Sequence, residues 1–178
     1  TDVLTVTVSD AHNLAQLKAI NNATAGTITL NSADVALSGS AADVSAALNG
    51  ITSYSGNVQL TDAHTNEQFK IINDATSGTI TLFDLSGALS GTAASLVSSL
   101  DGFTDYTGDV TITDTHNLAQ LKAINNATSG TITLSSYAVD LSGTMADVTA
   151  ALAGTLGATY TGAVAVTNSQ SGSAGVTA

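Results

Sequence analysis

Apolar and polar residues alternate in Val6-Thr7-Val8-Ser9, Val58-Gln59-Leu60-Thr61 and Val110-Thr111-Ile112-Thr113. A period of two with β-branched residues predicts a short strand with one buried face. The period then lengthens. Ala11, Leu14, Leu17 and Ile20 mark one apolar stripe, which predicts a helix from about Ala11 to Ala23, with Phe69 replacing Leu17 in the second copy. Asp10, Asp62 and Asp114 precede these helices, where a carboxylate can accept from first-turn amides, so each is expected as an N-cap. Gly26, Gly78 and Gly130 are expected to end the helices. Thr-Ile-Thr-Leu, starting at Thr27, Thr79 and Thr131, predicts a second strand. A variable bridge leads to short extended pieces at Val35-Ala36-Leu37, Ala88-Leu89 and Val139-Asp140-Leu141, followed by Ser-Gly. A shorter helix comes next, with Val44, Leu48 and Ile51 on its apolar side. Ser40 with Asp43, and Thr144 with Asp147, have capping-box spacing; Thr92 and Ser95 depart from it. A Tyr-x-Gly turn at Tyr54, Tyr106 and Tyr160 returns the chain to the next strand.

The whole pattern recurs. VTVSDAHNLAQLKAINNATAGTITL begins at Val6, VQLTDAHTNEQFKIINDATSGTITL at Val58 and VTITDTHNLAQLKAINNATSGTITL at Val110, a period of 52 residues. The third copy carries two extra residues before Tyr160, and a fourth starts as VAVTN at Val164. Strands separated by helices favour parallel pairing through right-handed crossovers. The expected fold is therefore α/β: an open α/β solenoid of three repeats (6–57, 58–109 and 110–163), with a parallel sheet on one side and helices on the other. Residues 164–168 form a partial fourth repeat and 169–178 a flexible-looking tail, all in a single elongated domain. A closed α/β barrel is the alternative, for which three units supply too few strands.

Composition narrows the function. The chain is 43% hydrophobic but only 4% aromatic, so its core must be built in thin layers of Val, Ile, Leu and Ala. Fourteen acids against three lysines give a net charge of −11, which repels a phosphate backbone and disfavours anionic membranes. No run of apolar residues is long enough to span a bilayer. The absence of cysteine excludes disulfides and thiolate metal sites. An acidic, Lys-poor, Thr/Ser/Gly/Asn-rich composition points outside the cell. With no signal peptide and no initial Met, the chain reads as a processed product or a piece of something longer.

Candidate chemistry falls into columns of equivalent residues. Asp10/His12, Asp62/His64 and Asp114/His116 could share a metal. The plainer reading is a capping Asp beside an exposed His, and equivalent histidines would lie about 10 Å apart, too far to converge on one ion. Lys18, Lys70 and Lys122 flank the apolar stripe, each within reach of a neighbouring acid. Asn21, Asn73 and Asn125 point nearly inward and are expected as a structural column bonded to adjacent backbone and to one another. Thr27/Thr29, Thr79/Thr81 and Thr131/Thr133 fall on the outer face of the second strand, as in ice-binding solenoids and as in any half-exposed sheet. Asp101, Asp105, Asp109 and Asp114 in the middle unit leave room for weakly bound calcium, although no calcium-binding nonapeptide or EF-hand loop occurs. No catalytic motif and no cofactor motif is present.

Leu-Ser-Gly-Thr-Ala-Ala-Ser-Leu (89–96), Leu-Ser-Gly-Ser-Ala-Ala-Asp-Val (37–44) and Val-Thr-Ile-Thr-Asp-Thr (110–115) resemble repeats of very large secreted proteins of cyanobacteria and other bacteria, described as hemolysin-type or adhesin-like surface proteins. The resemblance spans about Val6 to Asn168. It implies an extracellular surface or matrix role and transfers no catalytic residue. The expectation is a non-enzymatic structural protein that associates head to tail with copies of itself into a filament, surface layer or adhesin stalk. The end strands carrying Val3, Val6 and Val8, and Val164 and Val166, would be its assembly sites. The alternative is a binding module that takes a cell-surface glycan, ice or calcium-linked partners on its exposed sheet face.

Overall fold

The computed structural model describes residues 4–167. Val3, Asn168 and the segment 169–178 lie outside the described residues. The chain is a mixed α/β protein of six helices and four small parallel sheets, with no closed barrel among the described residues. The first unit comprises β1 (Val6–Val8), α1 (Leu14–Ala23), β2 (Ile28–Leu30), β3 (Leu37–Gly39) and α2 (Ala41–Leu48). The second comprises β4 (Val58–Leu60), α3 (Asn66–Ala75), β5 (Ile80–Thr81), β6 (Leu89–Gly91) and α4 (Ala93–Leu100). The third comprises β7 (Val110–Ile112), α5 (Leu118–Ala127), β8 (Ile132–Leu134), β9 (Leu141–Gly143) and α6 (Met145–Leu152), and β10 (Val164–Val166) follows.

The sheets are β1-β2, β3-β4-β5, β6-β7-β8 and β9-β10. A single sheet running along one side was expected, but β2 does not pair with β3, nor β5 with β6, nor β8 with β9. The reason is steric. Parallel neighbours need a crossover of about a dozen residues or more, and only short links without a helix join those three pairs. Every pair that does form within a sheet is bridged by a helix. Leu37 faces Val58, which faces Ile80; Leu89 faces Val110, which faces Ile132.

The caps also differ from the expected ones. The longer helices start at Leu14, Asn66 and Leu118, three residues later than their apolar stripe suggested. Asn13, Thr65 and Asn117 are their N-caps, each reciprocated by Gln16, Gln68 or Gln120 in a capping box. Asp62 and Asp114 cap the preceding short helix instead: their Oδ1 atoms accept from the backbone of Ala41 and Ala93, the first residues of α2 and α4, at 2.7 Å. Among the described residues no helix precedes Asp10.

Gly26, Gly78 and Gly130 do not end the helices, which close on extended Thr24, Thr76 and Thr128. They stand where neighbouring backbones touch. A Cβ at Gly78 would lie 2.4 Å from the Gly56 carbonyl oxygen, and one at Gly130 would lie 2.2 Å from that of Gly108. Gly56 and Gly108 crowd Val35 and Gly87 in turn, at 2.0 and 2.1 Å. Each crowded carbonyl accepts a hydroxyl from two residues before the crowding glycine. Thr76 and Thr128 donate to Gly56 and Gly108, at 2.9 and 2.8 Å, and Tyr54 and Tyr106 donate to Val35 and Gly87, both at 2.5 Å. Thr-x-Gly and Tyr-x-Gly are thus one device. The left-handed glycines are Gly50 and Gly102, after the short helices.

Apolar side chains form two clusters, one around Leu17, Val44, Val58 and Ile72 and the other around Phe69, Leu96, Val110 and Ile124; Ile80 and Leu82 pack against both. The middle unit has a polar cluster where the outer units are apolar. Leu14 and Leu118 cover Gly39 and Gly143, whereas Asn66 covers Gly91 and bonds Ser95 (2.9 Å) and Ser99 (2.6 Å). Ser99 stands where the outer units have Ala47 and Ala151.

Four outcomes are expected in thermal or denaturant unfolding. Gly108→Ala should cost about 3 kcal/mol or more, because backbone confronts the new methyl. Gly102→Ala, which meets open space at positive φ, should cost about 1–2 kcal/mol. Ser99→Ala alone should cost about 1–3 kcal/mol by stranding the Asn66 amide, and Asn66→Leu added to it should recover most of that loss.

Candidate assembly ends and internal polar columns

The three histidines are not exposed first-turn residues. Because the helices begin two residues beyond them, His12, His64 and His116 lie in the entry segment and turn inward; His12 and His116 are buried and His64 half-buried. Each meets the tyrosine of the same unit: Nε2 of His12, His64 and His116 lies 3.4, 3.5 and 3.1 Å from the hydroxyls of Tyr54, Tyr106 and Tyr160. Those hydroxyls give their proton to a carbonyl, that of Tyr160 to Val139 at 2.6 Å. The tyrosine oxygen therefore accepts from Nε2–H, and Nδ1 is left buried and unpaired in all three. Burial holds the three imidazoles below their ordinary value, with Asp84 and Asp62 opposing it at His64 and Asp114 at His116. Burial also pushes Tyr54 and Tyr106 up to about 12. The sequence signal for this pairing was a constant His-to-Tyr separation of 42 residues, 44 in the third unit. Sequence reasoning missed it.

The asparagine column bonds backbone and not itself. Asn21 Nδ2 donates to the Ala47 and Asn49 carbonyls at the end of α2; Asn73 does the same to Ser98, Ser99 and Asp101 at the end of α4; Asn125 donates to Ala150. Each longer helix thereby satisfies carbonyls that its shorter neighbour leaves open. Lys18 and Lys122 pair across helices with Asp43 and Asp147, whereas Lys70 turns to Asp74 on its own helix because Ser95 replaces the acid. All three pairs are half-exposed, so solvent screens each of them.

The middle unit's four acids do not converge. Asp114 caps α4, and Asp109 accepts from the Thr131 amide. Asp101 and Asp105 line an open groove of about 670 Å³ with Asn73 and Phe103. Among the described residues no group of three or more His, Cys, Asp or Glu is arranged to hold a metal ion. No helix among the described residues is long and apolar enough to cross a membrane. Outward-facing strand positions form short rows in register: Thr7/Thr29, Ser38/Gln59/Thr81, Ser90/Thr111/Thr133 and Ser142/Ala165.

The two ends lack cover that the interior has. At one end Val6, Val8 and Ile20 are half-buried and Ala23 is exposed, although their equivalents Val58, Leu60, Ile72 and Ala75 are buried. A hollow of about 520 Å³ opens there between Val6, Val8, His12, Ala19 and Ile20. At the other end Val164 is 43% and Val166 38% exposed, against 1% and 2% for Val58 and Leu60. Met145 is 57% exposed, against 1% for its equivalent Ala41. Compared with protein-family models, curated proteins and solved structures, the chain matches none.

The buried histidines predict the acid response. Unfolded histidine titrates near about pH 6.5, and each folded imidazole lies lower, so between those values the unfolded chain binds more protons. Stability is complete above about pH 6.5 and declines as pH falls through that window. Asp43 and Asp147, held below their usual range by hydrogen bonds from Lys18 and Lys122, titrate only in stronger acid. The melting temperature should therefore drop as pH falls below about 6.5; a flat profile there would contradict neutral buried imidazoles. In the asparagine column, Asn73→Ala should cost about 1–3 kcal/mol and the exposed Asn22→Ala less than about 0.5 kcal/mol, as read by chemical denaturation.

Proposed function

We propose that the chain is a non-enzymatic structural unit that associates head to tail with copies of itself, extending a solenoid-like body into an extracellular filament, surface layer or stalk. The observation that carries this reading is the matching deficit of its two ends. The positions uncovered at the first unit are those an upstream unit covers in the second and third. The positions uncovered after α6 are those a downstream unit covers in the first and second. An interface that already exists twice inside the chain can thus form again between chains, because the contacting residues are near-copies. Such an interface is heterologous and does not close on itself. The net charge of −11 favours dispersal of the sides, so association concentrates at the apolar ends. The extracellular setting rests on composition and on the resemblance to secreted surface-protein repeats.

A second reading is supported by the in-register hydroxyl rows, which could contact a cell-surface glycan. Gln59 and Ala165 interrupt them, and the sheets are two or three strands wide.

Sedimentation and negative-stain imaging over a concentration series distinguish the two. Fibres whose axial repeat is near one chain length are the expected result. Ile20→Asp, placed in the end hollow, should raise the concentration needed for assembly by tenfold or more, on the order of 1.4 kcal/mol. A monomer at every concentration, with glycan binding that depends on the hydroxyl rows, would favour the second reading.

A further inference from the structure

Comparison of the strand seats specifies the junction more closely than matching apolar ends do. β4 sits between β3 and β5, and β7 between β6 and β8. β1 is the equivalent of β4 and β7, yet among the described residues it has β2 on one side and no strand on the other. β9 is the equivalent of β3 and β6, so the strand that belongs beside it is a β1-type strand. That seat is filled by β10, the first strand of the fourth copy, with Val164 on Leu141 and Ala165 on Ser142. An incoming β1 therefore meets an occupied seat.

We infer that β10 is an exchangeable placeholder: assembly proceeds when β1 of a second copy displaces β10 from β9, giving a β9-β1-β2 sheet across the junction. This deepens the end-to-end reading and rests on it. The occupant is a second copy because only β1 brings the rest of the interior junction with it. In register, Val6, Thr7 and Val8 would face Leu141, Ser142 and Gly143, as Val58, Gln59 and Leu60 face Leu37, Ser38 and Gly39. α1 would follow and cover the end of α6, as α3 packs on α2. Asp10, which caps no helix in its own chain, would reach the first amide of α6 at Met145, as Asp62 reaches Ala41 and Asp114 reaches Ala93.

β10 is the weaker tenant on three counts. Its side chains are exposed, and no strand among the described residues covers its outer edge. The sequence supplies Asn168 where the other copies have the capping aspartate. A carboxylate at a helix N-terminus gains from the dipole where an amide does not. Adding β1 to the outer edge of β10 without displacement would set two strands of the same type side by side, an arrangement that occurs nowhere inside the chain.

Full-length variants test the exchange. The chain has no cysteine, so Ser142→Cys with Ala165→Cys gives one defined pair. Neighbouring strands about 4.8 Å apart lie within disulfide reach. Oxidised, this variant is locked and should not assemble; reduced, it should assemble like the unmodified chain. Thr167→Pro removes the amide that donates to Gly143 at 2.8 Å and should lower the assembly threshold roughly two- to tenfold. Mixed Thr7→Cys and Ser142→Cys chains should cross-link under oxidation, and mixed Thr7→Cys and Ala165→Cys chains should not. If the locked chain grows fibres as readily as the reduced one, or only Ala165→Cys captures Thr7→Cys, β10 is not displaced and the inference falls while end-to-end assembly stands. If neither the unmodified chain, the reduced variant nor Thr167→Pro associates at any concentration, the end-to-end reading itself fails.

Discussion

Close approach of one stretch of backbone to the next is the constraint from which most of this structure follows. Where the chain enters each strand, the neighbouring carbonyl comes so near that no side chain fits, and glycine is required at Gly56, Gly78, Gly108 and Gly130. The hydroxyl two residues earlier satisfies the oxygen that this approach would otherwise strand. Threonine does so after the long helices and tyrosine after the short ones. The tyrosine ring also fills the core, and its position draws the histidine inward. One requirement of spacing thus fixes a glycine, a hydroxyl, an aromatic ring and an imidazole in each unit.

Polar side chains elsewhere act between units as much as within them. Asp62 and Asp114 serve the helix before their own strand, and Asn21, Asn73 and Asn125 serve the end of the helix that follows. α2 and α4 each have the first amide and the last carbonyls held by neighbours on opposite sides. A helix of eight residues has little intrinsic stability, so this outside support is part of why it forms. The buried contacts and the polar ones therefore run in the same direction along the chain, and the first and last units are incomplete in both.

Much of the local structure was legible in the sequence. The alternation at Val58–Leu60 and the Thr-Ile-Thr-Leu runs marked real strands, and the apolar stripes marked all six helices. Two kinds of feature were not legible. Asp10, Asp62 and Asp114 looked like local caps because sequence spacing shows only the nearer helix, whereas the Asp62 and Asp114 carboxylates reach one about twenty residues back. His12 was phased on a helix that does not yet exist at that position, so its predicted face was wrong. The division into four small sheets followed from link lengths that were visible, but the crossover rule had been applied to the repeat as a whole and not to each pair of strands. At the ends, the apolar residues of Val6–Val8 and Val164–Val166 could be read directly. Their partial exposure could not, since it depends on what is absent beside them.

The Asn66–Ser95–Ser99 cluster has a consequence for how the chain finds its structure. Units one and three share the identical run His-Asn-Leu-Ala-Gln-Leu-Lys-Ala-Ile-Asn-Asn-Ala-Thr, so in a folding chain the long helix of one could pair with the short helix of the other. In the middle unit, α3 meets a short helix with serine where the outer units have aspartate and alanine. α3 set against α2 or α6 in place of α4 would bury the Asn66 amide against Ala47 or Ala151, with no hydroxyl to receive it. The cost of that mismatch keeps α3 with the short helix of its own unit.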